Sequence, residues 1–131
     1  MTEISLRPGR VVARLRDLLA DAGRPLRGSR IHVVGVAYKP GVADVRESPA
    51  LEILTQCQAA GAEVSFSDSH VEAVVLPHGE ELHPVAPDQV AADVILVHTR
   101  HPDEDLDWIA RHPLVLDTTF RLLSVPHRLP M

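Results

Sequence analysis

Cysteine and lysine each occur once in this 131-residue chain, and aromatic residues make up only 3% of it. The lone thiol, Cys57, rules out an internal disulfide, and no charged-then-apolar N-terminal run resembles a secretion signal, so the expected compartment is the cytoplasm. Long apolar runs are also missing. Charges or turn formers interrupt the longest within about ten residues, well short of a bilayer span, so no membrane partner is expected. The net charge is −5 and the arginines are scattered, which leaves no basic footprint for a nucleic-acid backbone. With 45% apolar residues, the chain is long enough for one substantial core and too short for two ordinary domains.

What is present is ordered by period. Val11, Val12, Leu15, Leu18, Leu19 and Ala22 recur at helical spacing between Pro8 and Ala22, with Gly23 and Pro25 placed to close the helix. Residues 30–37 (RIHVVGVA) form a near-continuous β-branched run, as in a strand covered on both faces. Residues 38–47 (YKPGVADVRE) read as a loop, and Ser48-Pro49 as N-cap and first position of a helix reaching Ala60. A short alternating strand is expected over 62–66, ending near Asp68. Beyond it, the proline-rich stretch has room for an edge strand around 82–85 and a helical turn around 88–91. A buried strand over 93–99, a short helix over 105–112 with Trp108 and Ile109 inward, a strand over 114–118 and a coil tail from Phe120 complete the order. Strands alternating with helices predict an α/β, Rossmann-like three-layer domain with a mainly parallel sheet, whose ligands sit beyond the carboxyl ends of the strands.

The loop after the first strand therefore receives the closest reading. It combines Tyr38, the only lysine (Lys39), the Pro40-Gly41 bend, Val42, Arg46 and the start of a helix with free N–H groups, a set able to hold a phosphate or pyrophosphate. The same residues admit a plainer reading: a Pro-Gly bend before a capped helix is common connecting structure, Tyr38 can cover the core, and Arg46 can pair with Asp44 or Glu47. Cys57 lies mid-helix with no histidine nearby, as a packing residue rather than a nucleophile. The eight histidines, among them His78 with His83 and His98 with His101, lack the spacing of a metal site. No catalytic residue and no metal are expected.

The run from Gly35 through AYKPGVADVRESPAL resembles the motif that opens the C-terminal, UDP-binding domain of the UDP-glucose/GDP-mannose dehydrogenase family. The similarity extends from RPLRG at 24–28 through GAEVSFSD, ADVILVHTRH, Asp107-Trp108 and LVLDT. It implies a domain that closes over the nucleotide of a UDP- or GDP-sugar, in an enzyme that uses NAD to oxidise a sugar C6 hydroxyl to a carboxylate. Position by position, Tyr38, Lys39, Pro40, Gly41 and Val42 fall on the family's nucleotide-sugar loop. Arg46 falls on the arginine that reaches NAD held by another domain. Residues 1–23 match the end of the family's central domain, and 24–131 the nucleotide-binding domain. Thr119 stands where many relatives carry a substrate-contacting arginine, with Arg121 two residues on. The Gly-x-Gly-x-x-Gly loop and the catalytic cysteine and lysine of the family's other domains are not in this sequence. The resemblance thus implies binding without oxidation, with the remaining dehydrogenase domains as partners. A stand-alone binding or assembly module, with the N-terminal stripe seeking a partner helix or forming a homodimer, is the competing expectation. A free-standing NAD-binding protein is the third, and GVAYKPG lacks the glycine spacing it requires.

Overall fold

The computed structural model describes residues 8–37, 45, 48–101, 106–112, 114–118 and 128–130. A five-stranded sheet runs in the order β2-β1-β5-β6-β7, formed by β1 (Arg30–Val34), β2 (Glu63–Ser67), β5 (Val94–Val97), β6 (Val115–Asp117) and β7 (Arg128–Pro130). Its four neighbouring pairs are all parallel. A separate antiparallel pair joins β3 (Val74–Val75) and β4 (Glu81–Leu82).

Strand alternation divides the core between the two faces of the sheet. Ile31 and Val33 of β1, Val94 and Leu96 of β5 and Leu116 of β6 point into a large cluster shared with α1 (Pro8–Asp21) and α2 (Pro49–Ala59). On α1 the apolar stripe is spent within this chain: Val11, Leu15 and Leu19 are wholly buried, against α2 and β5. Gly23, at φ 79°, ends α1, with Arg24 N–H donating to the Leu19 carbonyl and Gly23 N–H to that of Ala20, the paired closure a left-handed glycine permits. Leu15→Ala is expected to cost about 3 kcal/mol of stability, the usual loss for a leucine removed from a packed core. A change below about 1 kcal/mol in urea unfolding would show that α1 is only loosely attached.

The opposite face gathers Val34, Ile95, Val97, Leu106, Trp108, Ile109 and Val115. Here the structure departs from the expected helices. Among the described residues this face is covered by a 3₁₀ turn at Asp107–Arg111, shorter than the helix expected over 105–112, and by Val90 and Ala92. The turn expected at 88–91 is a 3₁₀ turn at Pro87–Gln89. The edge strand expected at 82–85 pairs instead at Glu81–Leu82 with a two-residue strand that hydropathy does not reveal. The tail expected to be coil contributes β7, whose position at the sheet edge is where proline is tolerated. Trp108 and Ile109 do point inward.

Candidate functional site

The site is built where the strand order reverses. From β1 the chain crosses through α2 to β2 on one side; from β5 it crosses by the Asp107–Arg111 turn to β6 on the other. The carboxyl ends of β1 and β5 thus border the crevice in which ligands of open α/β sheets bind. Gly35 occupies that border with φ 82°, and a Cβ added to it would lie 1.8 Å from the Thr99 carbonyl oxygen, so the two chain segments approach as only glycine allows. His98 N–H and Thr99 N–H both donate to the Val34 carbonyl, and Gly35 N–H to that of Ser67.

Asp68, at the exit of β2, is the hub. Its Oδ2 accepts from Val36 N–H at 2.9 Å and Ala37 N–H at 3.3 Å, and its Oδ1 from His70 N–H and His101 Nε2, each at 2.8 Å. The Asp68 and His101 side chains are fully buried, and the rings of His101 and His70 lie 4.1 Å apart. From the other side, Thr99 Oγ1 donates to the Ala37 carbonyl at 2.9 Å. Having spent its proton there, the hydroxyl accepts from His98 Nδ1 at 2.9 Å, which fixes the proton on that nitrogen. Among the described residues, Nε2 of the buried His98 ring then has no hydrogen-bond partner. Burial holds the His98 ring down to about 4 from the ordinary 6.5, against the upward pull of the Gly35 backbone and the Asp68 charge.

A second buried imidazole ties the far face together. Ser67 Oγ donates to the Val85 carbonyl at 2.6 Å and so accepts from His32 Nε2 at 2.8 Å, leaving His32 Nδ1 to accept from the Ser65 hydroxyl at 2.7 Å. Burial, with a smaller contribution from His112, lowers this ring to about 4 as well. Over it lies a cleft of about 470 Å³ lined by Val34, Ser67, Asp68, Val85, Pro87 and Trp108 among others. At the opposite end of β1, Asp93 accepts from Arg30 N–H at 2.7 Å and pairs with the Arg30 and Arg24 guanidinium groups. Burial pushes its carboxyl up, but these partners outweigh it and leave the group below the ordinary range.

Tyr38, Lys39, Pro40, Gly41, Val42 and Arg46 lie outside the described residues, as do Thr119 and Arg121. Their flanks are described. Ala37 leaves the crevice held by Asp68 and Thr99, and Ser48 caps α2 through a hydrogen bond from Ala50 N–H to its Oγ at 3.3 Å. Cys57 is buried between the helices, its thiol pushed by burial up to about 11 despite the nearby Arg16 charge, so thiolate chemistry is suppressed. His78 and His83 sit on the surface beside Glu80 and Glu81. Sequence patterns pointed to the 38–47 loop but not to Asp68, His98, Thr99 or His101 as a group; an acidic residue at the end of β2 and the unusual HTRH run after β5 were the available signals.

The architecture also bears on NAD. In a dinucleotide fold the acidic residue ending the second strand accepts from a ribose hydroxyl, whereas here both Asp68 oxygens are occupied by protein donors and the β1 exit lacks the glycine-rich turn. The described residues do not fit a dinucleotide at this position. No described helix is long and apolar enough to cross a membrane.

Comparison with known proteins agrees with this geometry. UDP-glucose 6-dehydrogenase of Rhizobium meliloti (strain 1021) is 39% identical over 67 residues, 51% of this chain and 15% of that protein, and the enzyme of Rickettsia typhi is 48% identical over 50 residues, 38% of this chain and 11% of that protein. The chain thus spans only about an eighth of these curated relatives. Among solved structures, UDP-D-ManNAc dehydrogenase from Pyrococcus horikoshii superposes with a TM-score of 0.67 at 28% identity, covering 84% of this chain and 26% of that one. The UDP-N-acetyl-mannosamine dehydrogenase Cap5O from Staphylococcus aureus gives 0.68 at 26%, covering 94% and 29%. The profile described as "UDP-glucose/GDP-mannose dehydrogenase family, UDP binding domain" matches residues 32–122. By that match across most of its length, with the strand order and crevice to accompany it, the chain belongs to the UDP-glucose/GDP-mannose dehydrogenase family and corresponds to its UDP-binding domain.

Proposed function

We propose that this chain binds the nucleotide of a UDP- or GDP-sugar through the segment 38–47, and that it does so as one domain of an NAD-dependent dehydrogenase that oxidises the sugar C6 hydroxyl. In this reading Tyr38, Lys39, Pro40, Gly41 and Val42 surround the ligand, with the Lys39 ammonium set against the diphosphate. Arg46 reaches toward NAD carried by a separate domain of the complete, cytoplasmic enzyme. The chain alone binds and does not oxidise. Residues 24–131 form the binding unit, and 1–23 join it to the preceding domain. The observation that carries the proposal is the anchoring of Ala37, the residue immediately before the loop, at the strand-order reversal by side chains from the β2 exit and the β5 exit.

Calorimetric titration with UDP, UDP-glucose and GDP-mannose tests it. Lys39→Ala is expected to weaken binding about 10- to 100-fold, the loss that follows when a charge-assisted contact to phosphate is removed. Equal heats for the two proteins would refute the site. The alternative of a stand-alone assembly module, docking or dimerising through the N-terminal stripe, is disfavoured by the burial of Val11, Leu15 and Leu19 against this chain's own core.

A further inference from the structure

We propose that the cleft between Trp108 and the segment 84–87 is a second binding site, for an uncharged, purine-sized heteroaromatic ring such as the base of a nucleoside without phosphate. The inference goes beyond the nucleotide-sugar reading and does not depend on it.

The cleft exists because the sheet is covered unequally. Between β2 and β5 the described chain forms only the β3–β4 pair and the turn at Pro87–Gln89, and Val74 and Leu82 of that pair pack into the cluster shared with α1 and α2. The opposite face, past the end of β2, is left with about 470 Å³ of open space between two fixed walls. One wall is the segment 84–87. Val85 is tied to β2 by its N–H, which donates to the Phe66 carbonyl at 2.8 Å, and by its carbonyl, which accepts from Ser67 Oγ at 2.6 Å, while Pro84 and Pro87 restrict the backbone on either side. The other wall is Trp108, whose ring meets those of His32 and His112 edge-on at 6.0 and 5.7 Å. Small-molecule sites are of this size, and walls already in place spare a ligand the cost of ordering them.

The lining sets the chemistry of the occupant. Pyrrolidine rings on one side and an indole on the other suit a flat ring. Among the described lining residues Asp68 is the sole ionisable group, its oxygens already accept from four protein donors, and no lysine or arginine is present. Ser67 is spent between Val85 and His32, and burial keeps the His32 ring neutral at pH 7 by lowering it to about 4. Nothing here compensates a phosphate. The Trp108 indole N–H, by contrast, has no acceptor among the described residues, although the residue is only 7% exposed. A ring nitrogen or carbonyl of a base supplies that acceptor.

Trp108 is the one tryptophan of the chain, so its fluorescence reports on the cleft directly. Adenosine titrated into the 131-residue chain at pH 7 is expected to change that emission with a dissociation constant of about 0.1–1 mM, and AMP to bind at least about fivefold more weakly. Val85→Phe puts a ring into the cleft and should weaken adenosine binding, read by calorimetry, about tenfold. Trp108→Phe keeps most of the packing but removes the N–H, for an expected loss of about fivefold. Unfolding midpoints show whether each variant is folded, and if Val85→Phe is not, Trp108→Phe decides. No change in emission and no heat up to about 10 mM adenosine would overturn the proposal, as would folded variants that bind adenosine like wild type, or AMP binding as tightly as adenosine. A chain that takes up adenosine but no UDP upholds the cleft and refutes the nucleotide-sugar reading; uptake of UDP without adenosine does the reverse.

Discussion

Lowering the pH from 7 to 4.5 is expected to remove about 5 kcal/mol of folding stability through two buried imidazoles. His32 and His98 are each held at about 4 in the folded chain against 6.5 for a free ring, chiefly by burial. The unfolded chain therefore binds more protons between these limits. Stability is fully present above about pH 6.5, rises with pH through the window and drains away toward pH 4. Each ring accounts for about 2.5 kcal/mol by pH 4.5, at about 1.4 kcal/mol for every tenfold difference in proton affinity. The half-buried His112, lowered by burial and by Arg111, acts in the same direction. Asp93, whose carboxyl lies below its usual 3.8, loses its stabilising charge only at more acid pH. Since domains of this size carry about 5–15 kcal/mol in total, the loss takes a third or more of that, and a chain at the lower end of the range would reach its unfolding transition at pH 4.5. Urea titrations across the range check this. His98→Asn keeps a donor toward Thr99 and should recover about half of the acid loss; a wild-type curve flat from pH 7 to 4.5 would contradict the buried neutral assignment.

The second large effect is expected from one methyl group. Gly35→Ala should cost about 4 kcal/mol, combining left-handed strain with an overlap that cannot relax by rotation. The atoms nearest the added Cβ are the Thr99 carbonyl oxygen at 1.8 Å, its carbon at 2.6 Å and its Cα at 2.8 Å, all main chain. To make room, β1 and β5 would have to part at their carboxyl ends, breaking the bonds from His98 and Thr99 N–H to the Val34 carbonyl. Loss of soluble protein or a sharply lowered denaturant midpoint is the expected result. A variant within about 1 kcal/mol of wild type would mean that the crevice is wider than described.

Much of the fold could be read from residue order, and the mismatches have local causes. Apolar runs placed β1, β5 and β6, and the Ser48-Pro49 pair placed the start of α2, because those elements bury their own side chains. The run 30–37 suggested a strand through Ala37, but β1 stops at Val34: Gly35 turns left-handed, and the next two N–H groups go to Asp68. The expected 93–99 strand is likewise trimmed to Val94–Val97, because Asp93 turns to cap Arg30, and His98 and Thr99 to bond Val34. The first trimming lies where a side chain far away in sequence has claimed the backbone, and the second where the strand's own ends turn to Arg30 and Val34. Ala37 meets Asp68 across 31 positions and Thr99 across 62, and no window of hydropathy contains such a pair. Short pairings such as Val74–Val75 with Glu81–Leu82 escape for a different reason: two residues carry no period.

One consequence concerns the two outer margins of the sheet. Along β2, the Phe66 carbonyl is already taken by Val85 N–H, and Val85 is followed closely by Pro87 and preceded by Pro84, neither of which has an amide proton to offer. On the far margin β7 ends in Pro130. A foreign strand approaching either side meets one carbonyl already taken or a missing amide proton, which works against templated fibril growth on a parallel sheet.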